Sequence, residues 1–142
     1  MVFYEENPQA VTGADIVVGI PSFNEVESIA RTTEQVDRGL SEYFPDLKCV
    51  IINSDNHSED GTREAFFAAP GKAQRVFVTT APGVHGKGSN LRNFFEKARE
   101  LSPKALAIIE ADIKNISPVW IRNLVQPILK GAGYVCPLYV RH

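Results

Sequence analysis

Apolar runs and amphipathic stretches alternate along the chain from Asp15 onward, and this alternation restricts the fold more than any other feature of the sequence. The runs are Asp15 to Ile20 (DIVVGI), Lys48 to Asn53 (around CVII), Gln74 to Thr79 (around Val76 and Val78) and the stretch opening at Ala105 (ALAII). Ala107, Ile108 and Ile109 are too continuously apolar for a sheet with one wet face, so a strand buried on both sides is expected there. Between the runs, apolar residues recur at helical spacing: Val26, Ile29, Thr33, Val36 and Leu40, to about Tyr43; then Ala65, Phe66 and Ala69; then Leu91, Phe94, Phe95, Ala98 and Leu101. A helix is also expected over Pro118 to Leu129, strained at Pro127, followed by a last strand over Tyr134 to Val140. Met1 to Gly13 shows no period and reads as an arm or loop. Strand and helix in strict alternation predict an α/β domain with a mostly parallel sheet flanked by helices.

The stretch Ala105 to Trp120 (ALAIIEADIKNISPVW) is where such a fold would place chemistry. Its strand ends on Glu110 and Asp112. Ligands of open α/β sheets bind beyond the carboxyl ends of strands, and an acid-x-acid pair there can hold a divalent cation through oxygen. Ser117 and Pro118 follow as N-cap and first helical residue, which keeps the intervening loop short and tied at both ends.

Composition narrows the function classes. At 142 residues, 44% hydrophobic and 23% charged, the chain suits one globular domain. A net charge of −2 provides no basic field for nucleic acid. No apolar run approaches the roughly 18 residues of a membrane span, and MVFYEENPQA is too polar for a signal peptide, so a cytoplasmic protein is expected. Cys49 and Cys136 sit in apolar stretches as buried thiols would, and His57, His85 and His142 lack zinc-ligand spacing.

In a parallel sheet four loops share one edge: Pro21 to Glu25, Ser54 to Gly61, Ala81 to Ser89 and Glu110 to Asn115. Together they hold what a nucleotide-sugar site requires. Asn24 and Glu25 offer an amide and a carboxylate, and Asp55 can accept hydrogens from a base edge. Lys87 lies between Gly86 and Gly88, whose lack of side chains permits close approach to phosphate, and Asp112 can hold a cation against a diphosphate. Each has a plainer reading. Asn24 and Glu27 can be helix caps, Asp55 to Thr62 a surface turn, and GKG alone matches neither the Walker nor the GxGxxG pattern.

The same residues resemble a known family. IPSFNE (Ile20 to Glu25), DNHSEDGT (Asp55 to Thr62), HGKG (His85 to Gly88) and EAD (Glu110 to Asp112) look like the donor-binding half of GT-A-fold glycosyltransferases, with EAD in the place of the D-x-D motif. GKGSNLR, ADIKNISPVWI, QPILKG and PLYVRH are similar to the group containing glucosyl-3-phosphoglycerate, glucosylglycerate and mannosylglycerate synthases, so the resemblance covers Asp15 to His142. It implies a Rossmann-like fold and retaining transfer of glucose or mannose from a UDP- or GDP-hexose to glycerate, phosphoglycerate or a related small polar acceptor. Pro21, Ser22 and Glu25 would border the nucleotide, Asp55 and Asn56 would face its base, and Lys87 would reach base or diphosphate. Asp112 would bind magnesium or manganese. Glu110 stands where the family has Asp, an acid that lies near ribose and sugar. The resemblance also implies that residues 1–142 form the donor half alone, without the acceptor half and its metal-binding histidine, and that exposed apolar surface favours homo-oligomers. A non-catalytic nucleotide-sugar-binding or interaction domain on the same scaffold is the alternative.

Overall fold

The computed structural model describes residues 4–133. The strand expected over Tyr134 to Val140, with Cys136 and His142, lies outside the described residues. A five-stranded sheet forms the centre, in the order β1 (Tyr4–Glu6), β4 (Gln74–Thr79), β3 (Cys49–Asp55), β2 (Ile16–Ser22) and β5 (Ala105–Ile108). β4, β3, β2 and β5 run parallel, whereas β1 pairs antiparallel with β4. Counted along the chain, the parallel strands therefore lie third, second, first, fourth. Strand order reverses between β2 and β5, and the crevice at such a reversal is where open α/β sheets bind ligands.

Apolar faces dictate the layers. α1 (Ile29–Tyr43), α2 (Thr62–Ala68) and α4 (Pro118–Leu129) cover one face, where Ile29, Val36, Leu40, Phe66, Ile121 and Val125 pack on Ile16, Val18, Ile20, Ile51 and Ala107. α3 (Lys87–Leu101) covers the other, with Phe94, Ala98 and Leu101 against Val17, Val50, Ile52, Val76 and Val78. Gly19 lets α3 come close: a Cβ there would lie 2.5 Å from the Phe94 ring. α1 and α4 meet likewise at Gly39, where a Cβ would lie 2.7 Å from Ile121. These close approaches set how near α3 lies to the sheet and α4 to α1.

Several elements differ from the sequence reading. β5 is an edge strand among the described residues and is buried only on alternate positions, with Leu106 and Ile108 40% and 38% exposed. The apolar run there reflects a strand whose α3-side face is only partly covered. Part of the N-terminal arm is ordered as β1, because Glu5 pairs with the buried Lys97 ammonium at 2.7 Å and Glu6 pairs with Arg63. α1 begins at Ile29 behind Ser28, not at Asn24, whose φ of 53° takes it out of helical geometry. α3 starts at Lys87, four residues before Leu91, so the glycine-flanked lysine is itself the first helical residue. α4 runs through Pro127 to Leu129.

Candidate active site at the strand reversal

β2 and β3 end in register, Pro21 opposite Ser54 and Ser22 opposite Asp55. A net of hydrogen bonds fixes these ends. The Ser22 hydroxyl donates to Asp55 Oδ1 (2.6 Å), Asn53 Nδ2 donates to Ile20 O and to Ser22 Oγ (2.9 Å each), and Asn90 Nδ2 donates to Ser22 O (3.0 Å). Ser58 closes the turn by giving its N–H to Asp55 Oδ2 (2.6 Å) and its hydroxyl to Asp55 Oδ1 (2.7 Å). Asp55 is thus 1% exposed with both carboxylate oxygens occupied. The turn chemistry of DNHSEDGT is real, and its first acid holds the turn together.

The same turn secures the loop after β2. Asn24 N–H donates to Ser58 Oγ (2.7 Å), Glu25 N–H to Thr62 Oγ1 (3.0 Å) and Val26 N–H to Asp60 Oδ2 (3.3 Å). Burial acts against ionisation of Asp60, but hydrogen bonds from the Thr62 hydroxyl and from backbone N–H groups, Val26 among them, outweigh it and hold the carboxyl below its ordinary value. Asn56 Nδ2 reaches the other way, to Gly86 O (3.1 Å), and joins the turn to the glycine loop. Asn24 and His57 both carry a φ of 53°. Such strained non-glycine positions are held only where their surroundings over-determine them.

These loops enclose a cleft of about 310 Å³ between the ends of β2 and β5, lined by Pro21, Ser22, Glu25, Asn56, Lys87 and Glu110. Lys87 and Glu110 face each other as an ion pair with mostly exposed side chains. A screened pair of this kind contributes no more than about 1 kcal/mol, so it opens cheaply for a stronger anion. Lys87 is also the first residue of a 15-residue helix, whose free N–H groups and dipole favour negative charge at the same place.

Asp112 lies next door. It lines an adjoining cleft of about 600 Å³ with Glu25, Asp60, Arg31 and Lys114, and Glu25 belongs to both clefts. Its exposed carboxylate has no hydrogen-bond or ion-pair partner among the described residues. Among those residues, no group of three or more His, Cys, Asp or Glu is placed to hold a metal. A single free carboxylate still fits magnesium or manganese, since these ions are commonly bound through one or two carboxylates completed by phosphate oxygens and water.

Of the residues expected at the site, Pro21, Ser22, Glu25, Asn56, Lys87 and Glu110 come together around one cleft and Asp112 borders it, whereas Asp55 lies beneath the floor. Asn90, Phe23 and His85 complete the walls without having been singled out as site residues. Asn90 is 3% exposed and its Oδ1, like that of Asn56, is buried with no partner. Phe23 is 48% exposed, its ring edge-on to His85 with centroids 5.3 Å apart. An aromatic inside a strand-end loop, PSFNE, was the one available sequence signal for Phe23. Nothing in GKGSN distinguishes Asn90 until Lys87 is known to be helical.

A mostly parallel sheet flanked by helices, with a polar cleft at its strand reversal, a lysine at a helix N-terminus and an acid beside it, defines a Rossmann-like α/β domain of the GT-A architecture. Residues 17–142 match glycosyl transferase family 2, and the chain belongs to that family. Among solved structures it is similar to glucosyl-3-phosphoglycerate synthase from Mycobacterium tuberculosis. In complex with Mn2+, UDP and glucosyl-3-phosphoglycerate, that enzyme superposes with a TM-score of 0.64 at 25% identity, over 85% of this chain and 42% of that one. In complex with Mn2+, UDP-glucose and phosphoglyceric acid, the values are 0.61, 26%, 85% and 41%. The chain thus spans about two fifths of the length of the solved structures it matches. No curated protein matches the sequence. No helix of the described residues is long and apolar enough to cross a membrane.

Proposed function

We propose that the chain is the donor-nucleotide half of a hexosyltransferase. The transfer carries glucose or mannose from a UDP- or GDP-hexose to a small polar acceptor such as glycerate or phosphoglycerate, with retention at the sugar carbon. The observation that carries this reading is the cleft at the β2/β5 reversal, where Lys87 at a helix N-terminus faces the acidic loop. Pro21, Ser22 and Glu25 border the nucleotide, and Asn56 faces its base from the end of β3. Asp55 acts one step back, by fixing Ser22 and Ser58. Lys87 leaves Glu110 for the diphosphate, and Glu110 is then free for ribose or sugar hydroxyls. Asp112 holds magnesium or manganese, which when bound neutralises charge on the leaving diphosphate. The similarity to an enzyme solved with Mn2+ and UDP-glucose supports this donor chemistry.

A thermal-shift series with UDP, GDP, UDP-glucose and GDP-mannose, each with and without manganese, tests the proposal. At a hundredfold excess over Kd a ligand stabilises by about 2.7 kcal/mol. One nucleotide should raise the melting temperature by several degrees, and more so with manganese. No shift with any of the four, in either condition, would remove the basis of the reading.

A further inference from the structure

The loop carrying Asp112 is held from outside. Its backbone carbonyls at Ala111, Ile113 and Lys114, on either side of the acid, each accept a hydrogen bond from α1. Thr32 Oγ1 donates to Ala111 O at 2.7 Å, Arg31 Nη2 to Ile113 O at 2.9 Å and Arg31 Nη1 to Lys114 O at 2.9 Å. Both donors depart from the habits of their residue types. A helical threonine ordinarily bonds a carbonyl one turn back in its own helix, yet Thr32, fully buried, reaches across 79 residues of sequence. An exposed helical arginine is ordinarily solvated or paired with an acid, yet Arg31 grips two successive carbonyls with its planar fork. Ala111 and Ile116 anchor the loop in the core, but its one internal backbone bond is the 3.4 Å contact from Ile113 N to Glu110 O.

We propose that Arg31 and Thr32 are positioning residues for Asp112: they hold the acidic loop in the shape that presents its carboxylate to a metal–diphosphate. Thr32 lines neither cleft, and Arg31 borders only the one that holds Asp112. The inference rests on the reading of Asp112 as the metal ligand and adds what orients it. Fixing a flexible backbone costs conformational entropy, and a loop already ordered by α1 is spared that cost when metal and nucleotide arrive. The clamp also joins the two ends of the site. α1 follows the loop whose N–H groups are held by Ser58, Thr62 and Asp60, so one helix ties the turn after β3 to the acid after β5.

The test is the manganese increment, the ratio of the UDP Kd in chelator to that in manganese, measured by calorimetry on the full chain. Outer-shell contacts to metal ligands are worth about 10–100-fold in metal affinity. Arg31→Ala and Thr32→Val should each cut the increment about tenfold while leaving the metal-free UDP Kd unchanged. Thr32→Ser, which keeps the hydroxyl, should restore it. A role confined to stability would lower the melting temperature and leave the increment intact. Arg31 is exposed, so Arg31→Ala keeps the experiment decisive if Thr32→Val folds poorly. A normal increment in both variants, alongside its loss in Asp112→Asn, overturns the positioning role alone. A wild-type chain with no increment overturns the reading of Asp112, and this inference with it.

Discussion

Asp112 and Glu110 are two residues apart and carry the same charge, yet their surroundings give them different work. Glu110 is paired with Lys87, while Asp112 has no partner among the described residues and its loop is clamped by α1. Asp112→Asn should therefore weaken manganese-dependent nucleotide binding more than tenfold, about 1.4 kcal/mol or above, and Glu110→Gln by far less. A titration of UDP in manganese checks this, and equal losses would show the assignment to be wrong. Single-residue roles were only partly legible in the sequence. Lys87 and the acid pair stood out because glycine neighbours and a strand end are local signals. The burial of Asp55 was not legible, because it depends on Ser22, 33 positions away. Asn90 was hidden for the same kind of reason, since its bond to Ser22 O spans 68 positions.

The elements were easier to read, because apolar period is written in consecutive residues. β2, β3, β4 and the helices follow from it, and what was missed depends on tertiary contact. β1 is short and largely exposed, and exists because β4 offers it an edge and Lys97 an ion pair. The tie between α1 and β4 was equally invisible. Asp37, 1% exposed, accepts the Lys72 N–H (2.9 Å), the Ala73 N–H (3.0 Å) and Arg75 Nη2 (2.7 Å). Arg75 Nη1 in turn donates to Phe66 O (3.0 Å) and Ala69 O (3.1 Å), at the end of α2. Removing one partner of such a buried pair leaves the other charge uncompensated, at a cost of about 3–5 kcal/mol. Asp37→Ala should lose stability of that order in urea unfolding with an unchanged m value. A loss below about 1 kcal/mol, the range of exposed pairs, would mean that water screens the pair.

At the scale of the whole molecule, the position of the cleft follows from topology. β5 joins the far side of β2, so the strand order reverses there, and α3, which crosses on the other face of the sheet, brings its N-terminus to the crevice beside the ends of β2 and β5. A cleft of about 430 Å³ at the opposite end of the sheet, lined by Leu40, Phe44 and Cys49, contains none of the site residues. There burial, with the charges of Asp15 and Asp37, pushes the Cys49 thiol up to about 11, which leaves it protonated and inert near neutrality. The two clefts allow a direct test of the claim that the strand reversal is the donor site. A crystal structure of the chain grown with UDP and manganese should show the nucleotide between the ends of β2 and β5, its diphosphate at Lys87, and a manganese anomalous peak on the Asp112 carboxylate. Nucleotide bound in the cleft at the other end of the sheet, or manganese bound away from Asp112, would contradict the account.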